Sequence, residues 1–286
     1  MRNSGLMSDG WRPSYLPDQI WAPKGLPGWM RAVPGWAARA ATEGRFPLEV
    51  AEWEASLLKG PGAVSRGLPD GDGRPVLTIP GFGFGDYTTV PLQIALKGGG
   101  YTVKYSRIFS NIRCSNTAVD KLGQVAARIV KRDNGRRLLV VGHSRGGLLA
   151  RGLGALFPDL IERVIAMGAP MDDEFAFYEL PRPAAFFLSR LYQLEPKHRE
   201  LGCATSQCQC AYMQAIRKPM PPEVELVSIY SASDGVVDWR SCVVPEATNV
   251  EVSGTHLGMG LKPETLRVIM EQLARDPVIP AEPSDQ

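Results

Sequence analysis

The sequence lacks several features that would place it in whole classes of protein. Its 32 basic and 30 acidic residues are well mixed and leave a formal net charge of +2, so it has no concentrated positive surface of the kind that binds nucleic acid. No uncharged run approaches the roughly 20 apolar residues of a membrane span, and no apolar stretch follows a basic N-terminus as in an export signal. With 44% hydrophobic residues the chain can bury a large core. We therefore expect a cytoplasmic globular protein with no nucleic-acid partner.

Cysteine is also scarce. The five cysteines are odd in number, which does not suggest a secreted disulfide framework. Cys203, Cys208 and Cys210 lie close together, and His198 precedes them. A structural zinc site usually has two short CxxC-like pairs, or one such pair with two histidines, and this cluster has neither spacing. We expect no metal and no other cofactor, and a local disulfide or plain buried thiols are the alternatives.

Residues 1–72 are rich in proline, glycine and tryptophan and predict an irregular arm, with short helices near 35–43 and 47–58. Indole rings favour a lipid interface, so the arm could make weak peripheral membrane contact. The alternative is that its tryptophans fasten the arm to the rest of the protein. These tryptophans are Trp11, Trp21, Trp29 and Trp36. The turn-rich KGPGAVSRGLPDGDGRP then marks the boundary of a main domain over 73–286.

Short apolar segments alternate with segments of helical periodicity in this domain. Strands are predicted at 76–79, 101–108, 138–141, 164–167, 224–230 and 249–252. Helices are predicted at 87–97, from Asn116 as N-cap to about 134, from the turn at 142–147 to about 157, and at 263–275. This alternation predicts an α/β fold with a mostly parallel sheet of about six strands and helices on both faces. The stretch 172–222 breaks the alternation, and we interpret it as an insertion.

One turn in this pattern suggests chemistry. The apolar strand LLVV runs into GHSRGG and then into an apolar helix, so Ser144 lies at the tip of a strand-to-helix turn with the GxSxG pattern. Gly142 and Gly146 suit a turn that is too tight for side chains, and the helix N-terminus behind Ser144 favours developing negative charge. A glycine-rich turn can arise without catalysis, but this strand and helix on either side predict that Ser144 is a nucleophile.

A serine hydroxyl needs a base within hydrogen-bond reach, and the chain has three histidines. His143 lies inside the turn, where its side chain should point away from Ser144, and His198 lies in the charged segment EPKHRE. The predicted base is therefore His256, in the loop SGTHLGMG between the last strand and the last helix. The alternative is that His256 only satisfies a hydrogen bond within its loop.

The imidazole in turn needs a carboxylate that fixes its tautomer and stabilises its charged form. The segment YSASDGVVDW offers Asp234, at a turn shortly after a strand, and Asp238, four residues further on. We predict that Asp234 is the acid and that Asp238 is a turn or salt-bridge residue.

A tetrahedral intermediate also needs backbone N–H donors for its oxyanion. Two positions suit this role: Arg145, directly after the nucleophile, and Phe82, in the loop of VLTIPGFGFGD after the first strand. A glycine-rich loop after a strand could instead hold a nucleotide phosphate, but the sequence has no GxxxxGK pattern. We therefore predict an oxyanion hole and no nucleotide site.

Over roughly 75–275 these residues resemble the α/β-hydrolase superfamily. The segments PGFGFGD, VVGHSRGG, GAPM, SASDGVVDW and SGTHLGM are similar to those of bacterial lipases and esterases, including triacylglycerol-lipase-like and inositol-deacylase-like members. The order Ser, Asp, His along the chain is also that of the superfamily. The resemblance implies the α/β-hydrolase fold and implies roles at the matching positions. These are Ser144, Asp234 and His256 as a catalytic triad, and Phe82 and Arg145 as the oxyanion hole.

The sequence departs from the superfamily pattern in two places. Pro80 stands where many relatives have a histidine before the oxyanion loop, and the arm replaces the first strands of the longer family sheet. The insertion 172–222 contains the aromatic-rich EFAFYELPRPAAFFLSRLYQL where a helical cap would cover the site. It predicts a small-molecule ester or lipid substrate with a medium or long acyl chain. The alternative is an ordinary amphipathic helix that faces the core.

The predicted function is hydrolysis of carboxylic esters through an acyl-enzyme intermediate. Two alternatives stay open: acyl transfer to an alcohol or lipid by the same three residues, and a non-catalytic ligand-binding protein with the same fold. A serine instead of an aspartate at the turn disfavours dehalogenase and epoxide hydrolase chemistry.

Overall fold

The computed structural model describes residues 39, 41–60, 62–171 and 208–276. Trp11, Trp21, Trp29 and Trp36 of the arm lie outside the described residues, and so do His198, Cys203 and the aromatic-rich part of the predicted cap. The membrane contact of the arm and the cap itself therefore stay predictions. Within the described residues, none of the helices has the length and hydrophobicity to cross a membrane.

Strands and helices alternate along the main domain. The strands are β1 (Pro75–Ile79), β2 (Thr102–Tyr105), β3 (Leu138–His143), β4 (Ile161–Met167), β5 (Glu225–Tyr230) and β6 (Thr248–Glu251). The helices are α1 (Phe46–Leu57), α2 (Val90–Gly98), α3 (Ser115–Arg132), α4 (Arg145–Leu156), α5 (Ala211–Ile216), α6 (Trp239–Cys242) and α7 (Pro263–Ala274). Short 3-10 turns at Asp86–Thr89 and Gly258–Gly260 precede α2 and α7.

The six strands form one sheet in the order β2-β1-β3-β4-β5-β6, and every neighbouring pair is parallel. The prediction of a mostly parallel sheet of about six strands is confirmed. Because the strands are parallel, their carboxyl ends lie at one edge of the sheet, where ligand sites of such sheets form. The loops after β1, β3, β5 and β6 meet at this edge, and they carry the predicted site residues.

The core has two layers, one on each face of the sheet. Alternate residues of β3 point to opposite faces: Leu138 and Val140 pack with α3 and α4, whereas Leu139 and Val141 pack with α2 and α7. All four side chains are fully buried. Burial on both faces explains why the central strands read as continuous apolar runs.

Two of the boundaries that differ from the sequence prediction are explained by hydrogen bonds. Helix α3 begins at Ser115, with Cys114 as its N-cap, instead of after Asn116. The Asn116 side chain is used elsewhere, because its Oδ1 accepts a hydrogen bond from the backbone N–H of Tyr212 at 3.0 Å. Strand β2 ends at Tyr105, since Asp86 accepts hydrogen bonds from the next two residues and turns the chain away from the sheet.

The C-terminal end of the predicted insertion belongs to the core. Helix α5 lies within 172–222, yet Tyr212, Met213 and Ile216 are buried against α3 and α4. The Tyr212 ring fills the space over Gly152, where an added Cβ would lie 2.6 Å from ring carbons. Residues 211–216 therefore pack on the helical layer of α3 and α4 and do not cap the site.

A fully buried arginine joins the far ends of β4, β5 and α7. Arg163 donates to Glu225 Oε2 at 2.6 Å, to the carbonyl oxygens of Gln272 and Leu273 at 2.7 and 3.1 Å, and to that of Asp276 at 3.0 Å. Removing one member of a buried ion pair leaves its partner without compensation. The C-terminal helix is thus tied to the edge of the sheet opposite the predicted site.

We expect Arg163→Met to lower the free energy of unfolding by about 3 kcal/mol, because the Glu225 carboxylate then keeps only the exposed Arg275 as its ion-pair partner and three carbonyl oxygens lose a donor. Urea titration followed by tryptophan fluorescence measures the change. Arg128→Met is the matched control, since Arg128 is exposed on α3 and should change stability by less than about 0.5 kcal/mol. Equal stability of the two variants would contradict the role given to Arg163.

Candidate active site

Ser144 occupies a strained turn between β3 and α4. Its backbone has φ 54° and ψ −125°, a conformation that non-glycine residues rarely adopt and that concentrates at functional sites. The Ser144 N–H donates to the carbonyl of Met167 at 2.7 Å, and its own carbonyl accepts from Gly147 at 2.8 Å. These hydrogen bonds hold the turn at the carboxyl end of the sheet, where Ser144 is nearly buried.

The turn is possible because two glycines lie in close backbone contact. An added Cβ on Gly142 would overlap the Gly146 carbonyl group and lie 2.6 Å from the nitrogen of Gly147. An added Cβ on Gly146 would overlap the Ile79 carbonyl group and lie 2.6 Å from that of Pro80. Backbone atoms on both sides leave no room for a methyl group, as the sequence analysis predicts for this turn.

The structure brings His256 and Asp234 together. His256 Nδ1 lies 2.6 Å from Asp234 Oδ2, and both side chains are buried. The other Asp234 oxygen accepts from the N–H groups of Val236 and Val237 at 2.8 and 2.7 Å. With Nδ1–H donating to the carboxylate, the lone pair of the imidazole is on Nε2. Asp238 instead accepts from the Arg240 N–H at 3.0 Å and caps α6.

The pair lies beside the Ser144 turn. Gly168 follows Met167, whose carbonyl holds the Ser144 amide, and an added Cβ on Gly168 would lie 3.3 Å from both Asp234 Oδ2 and His256 Cε1. His143, which precedes Ser144, makes a direct contact with the His256 loop, since its Nε2 lies 2.8 Å from the His256 carbonyl oxygen. The Ser144 turn and the His256–Asp234 pair thus lie at the same edge of the sheet.

Burial and charge shift the two histidines in opposite directions. Burial lowers the pKa of His256, but the charge and hydrogen bond of Asp234 and the charge of Glu43 outweigh it and raise the pKa above its ordinary value. Burial and the charge of His256 lower the pKa of His143 to about 4. His143 is therefore neutral at neutral pH, and its Nε2–H donates to the His256 carbonyl. The position of His143 in the turn predicts that it is not the base, but no local pattern predicts this supporting role.

The loop that carries Phe82 lies against the Ser144 turn. An added Cβ on Gly81 would lie 3.6 Å from the Ser144 Cβ. Asn111 fixes this loop, because its Nδ2 donates to the Pro80 carbonyl at 2.7 Å and its carbonyl accepts from Gly83 at 3.1 Å. The Phe82 N–H makes no backbone hydrogen bond within the part of the chain that the structure describes.

The Arg145 side chain supports the same loop by binding Asn111. Its buried guanidinium binds Asn111 Oδ1 and donates to the Asn111 carbonyl at 3.2 Å, to the Arg113 carbonyl at 2.5 Å and to the Ser115 hydroxyl at 2.8 Å. From the sequence, only the backbone of Arg145 has a predicted role. No local pattern marks Asn111 or this side chain, because their partners lie about thirty residues away along the chain.

Two glutamates from the end of the arm reach the His256 loop. Glu43 accepts hydrogen bonds from the backbone N–H groups of Gly235 and His256, and Glu49 accepts from the N–H and hydroxyl of Thr255. Neither residue is predicted from the sequence as part of the site. They precede the predicted domain boundary, and nothing in their spacing indicates partners about two hundred residues further along the chain.

A small apolar cavity opens beside the Ser144 turn. It has a volume of about 150 Å³. Its lining includes Phe46 from α1, Phe84 and Leu92 from the segment after β1, and Leu257 and Leu261 from the His256 loop, together with His143 and Met167. A cavity with these walls suits an apolar group.

Two cysteines of the sequence cluster, Cys208 and Cys210, lie within the described residues. Cys208 and Cys210 are buried thiols that form no disulfide, and they pack with the layer of α3 and α4. Burial raises the pKa of Cys210 to about 12, so it stays protonated. No group of three or more potential metal ligands occurs among residues 39–171 and 208–276 as far as they are described.

No protein-family model matches the sequence, and no curated protein sequence matches it. Solved structures match the fold. A lipase of Bacillus licheniformis in its propeptide form is similar with a TM-score of 0.52 and 15% identity, over 73% of this chain and 52% of the lipase chain. Its mature form gives 0.50 and 16%, over 72% and 94%. A monoacylglycerol lipase of Paleococcus ferrophilus gives 0.46 and 17%, over 72% and 96%.

We expect Gly142→Ala to lower the free energy of unfolding by about 1–3 kcal/mol or more, because the new methyl group overlaps backbone atoms that cannot move aside. Thermal and urea unfolding measure the change. Gly260→Ala is the control, since an added Cβ there has no neighbour within 4 Å. If Gly142→Ala were as stable as Gly260→Ala, the close contact between β3 and α4 would not exist in solution.

Proposed function

The chain has the α/β-hydrolase fold, and from this premise we propose that it is a serine hydrolase that cleaves carboxylic esters. One observation carries the proposal: a strained, buried Ser144 directly follows His143, which contacts the loop of a buried His256–Asp234 pair at the carboxyl edge of the sheet. The strain at Ser144 would have no structural benefit in an ordinary strand-to-helix connection.

In the proposed reaction the Ser144 hydroxyl oxygen attacks the ester carbonyl carbon, and His256 Nε2 accepts the hydroxyl proton. The imidazolium then gives this proton to the departing alcohol, which leaves an acyl group on Ser144. Water attacks the acyl-enzyme with His256 again as base, and the acid product and the free serine result. Asp234 keeps Nδ1 protonated and stabilises the positive imidazole, and its own charge is held by two backbone N–H groups.

The oxyanion of each tetrahedral intermediate would accept hydrogen bonds from the N–H groups of Phe82 and Arg145. Donors fixed before the reaction stabilise this charge strongly, because they need no reorganisation as it develops. Asn111 and the Arg145 guanidinium hold the Phe82 loop, so these side chains would position one of the two donors.

The cavity beside His143 supports an apolar acyl group as the part of the substrate that binds in the protein. Its volume of about 150 Å³ is below the ~300 Å³ at which ligand pockets usually begin. The described walls therefore favour a short acyl chain. A medium or long chain, as the aromatic segment of the insertion predicts, needs additional apolar surface beyond these walls.

The test is hydrolysis of p-nitrophenyl esters from butyrate to palmitate by the protein and by Ser144→Ala. We expect hydrolysis that is lost in Ser144→Ala and retained in the control Ser65→Ala, whose hydroxyl bonds to the Gly62 carbonyl away from the site. A fluorophosphonate probe should label Ser144 in the wild type. If the wild type neither hydrolyses esters nor reacts with the probe, the proposal is wrong. New ester formed faster than free acid with an added alcohol would indicate acyl transfer.

The raised pKa of His256 leads to a prediction about pH. His256 acts as base only when neutral, and Asp234, Glu43 and His143 are the titratable groups that face it among the described residues. Since its pKa is raised, the inactive protonated form persists to higher pH. We expect kcat/KM to rise with pH through a midpoint above 6.5, the ordinary histidine value.

Asp234→Asn should move this midpoint to lower pH and reduce kcat by roughly 10⁴-fold, since it removes the charge and the correct tautomer. Asp238→Asn is the matched control, because its carboxylate caps α6 and makes no bond to His256. If the midpoint were the same in Asp234→Asn and in the wild type, the acid limb of the pH profile would not arise from the ionisation of His256.

A further inference from the structure

We propose that Glu43 is a second carboxylate of this active site, a positioning residue that joins the loops of Asp234 and His256 and stabilises the positive form of His256. This inference rests on the proposed function and extends it. It also makes the segment before α1 a part of the catalytic machinery, although that segment precedes the sheet.

One oxygen of Glu43 connects the two loops. Glu43 Oε1 accepts from the N–H of Gly235, next to Asp234, at 2.9 Å, and from the N–H of His256 at 2.8 Å. Its other oxygen lies 3.5 Å from the N–H of Leu257. The acid and the base come from different loops, after β5 and β6, so their separation depends on whatever holds these loops together. The Glu43 carboxylate is such a link.

The backbone around Glu43 is shaped for this contact. An added Cβ on Gly235 would lie 2.9 Å from Glu43 Cγ and 2.7 Å from the carbonyl oxygen of Arg39. Only glycine therefore lets the Asp234 loop come this close to the segment of Arg39 and Glu43. The close packing of Gly235 thus places the Glu43 carboxylate within hydrogen-bond distance of the two N–H groups.

Glu49 binds the same loop at Thr255, the residue before His256. It lies buried on α1, and its oxygens accept from the Thr255 N–H at 2.8 Å and the Thr255 hydroxyl at 2.5 Å. The Thr255 hydroxyl oxygen also accepts from the Gly258 N–H at 2.9 Å. Because Thr255 directly precedes His256, α1 and the turn before it hold two consecutive residues of the loop. Glu43 is then prevented from moving away with its own segment.

The charge of Glu43 favours the positive form of His256, which an uncharged hydrogen-bond acceptor would not do. A glutamine side chain at this position could accept both hydrogen bonds through its amide oxygen, so a link between the loops does not require an ionised group. Burial instead makes the carboxylate costly and raises the pKa of Glu43, although the two N–H donors lower it. The benefit of the charge lies at His256, where Glu43 and Asp234 both favour the imidazolium. The charged groups that act on Glu43 in turn are Asp234 and His256.

Glu43→Gln in the full chain separates charge from geometry, because the amide keeps the acceptor and loses the charge. We expect the midpoint of the acid limb of kcat/KM to move to lower pH. We also expect kcat at the plateau to fall several-fold with KM unchanged, since less of the imidazolium charge is compensated in the transition state. Glu43→Ala removes the link as well and should lower kcat by about 10- to 100-fold. Glu52→Gln, on the exposed face of α1, is the matched control and should behave as the wild type.

A direct measurement makes the test independent of turnover. NMR titration of the imidazole of His256 in the wild type, Glu43→Gln and Glu52→Gln gives its pKa whether or not an ester is cleaved, and the chain has only three histidines to assign. A lower His256 pKa in Glu43→Gln alone supports the proposal. The same value in all three proteins overturns it, even if Glu43→Ala is inactive, because the residue would then have only a structural role.

The two proposals fail in different ways. If the wild type cleaves no ester and resists the fluorophosphonate probe, ester hydrolysis is wrong, and the NMR titration still decides whether Glu43 acts on His256. If the wild type is active but Glu43→Gln keeps its pH midpoint, its kcat and its His256 pKa, only the role of Glu43 is wrong.

Discussion

The site depends on one close contact, in which the end of β1, the end of β3 and the start of α4 meet without room for a side chain. Gly142 and Gly146 lie against backbone atoms of this junction, and the chain between them has to turn through Ser144 with positive φ. The same contact places the loop after Ile79 beside the turn, so Ser144 and the Phe82 loop are positioned together. The buried strand β3 and its neighbours β1 and β4 keep Ser144 in this strained conformation.

Near this junction, the carboxylates of Asp234 and Glu43 lie close to the imidazole of His256. Asp234 and Glu43 each accept two backbone hydrogen bonds, which offset part of the cost of burying their charges. A buried carboxyl group without such donors would keep its proton to higher pH and stay neutral. Their combined field favours a positive His256, whereas His143, which has no carboxylate partner of its own among the described residues, stays neutral. Two histidines in ring contact, with centroids 4.9 Å apart, thus have pKa values that are shifted in opposite directions.

The sequence predicted the elements that depend on local pattern. The six strands follow from apolar runs that are buried on both faces, and the turn at Ser144 follows from glycines between such a strand and a helix. Prediction failed where a side chain has a distant partner. Asn116 was assigned as an N-cap because asparagine favours that position, but it binds the Tyr212 amide. Part of the predicted insertion, α5, is core because its apolar face packs on Gly152.

The sequence by itself therefore determined the class of fold, the position of the strained turn and a short choice of partners for Ser144. Only the tertiary structure decided that Asp234 and not Asp238 contacts His256, and that Glu43, Glu49, His143 and Asn111 support the site. The physical reason is range. Strand, helix and turn formation respond to neighbours a few residues apart, and periodicity records them. A carboxylate that binds an amide 213 residues away leaves no periodic trace, because the contact exists only once the sheet has brought both loops to one edge.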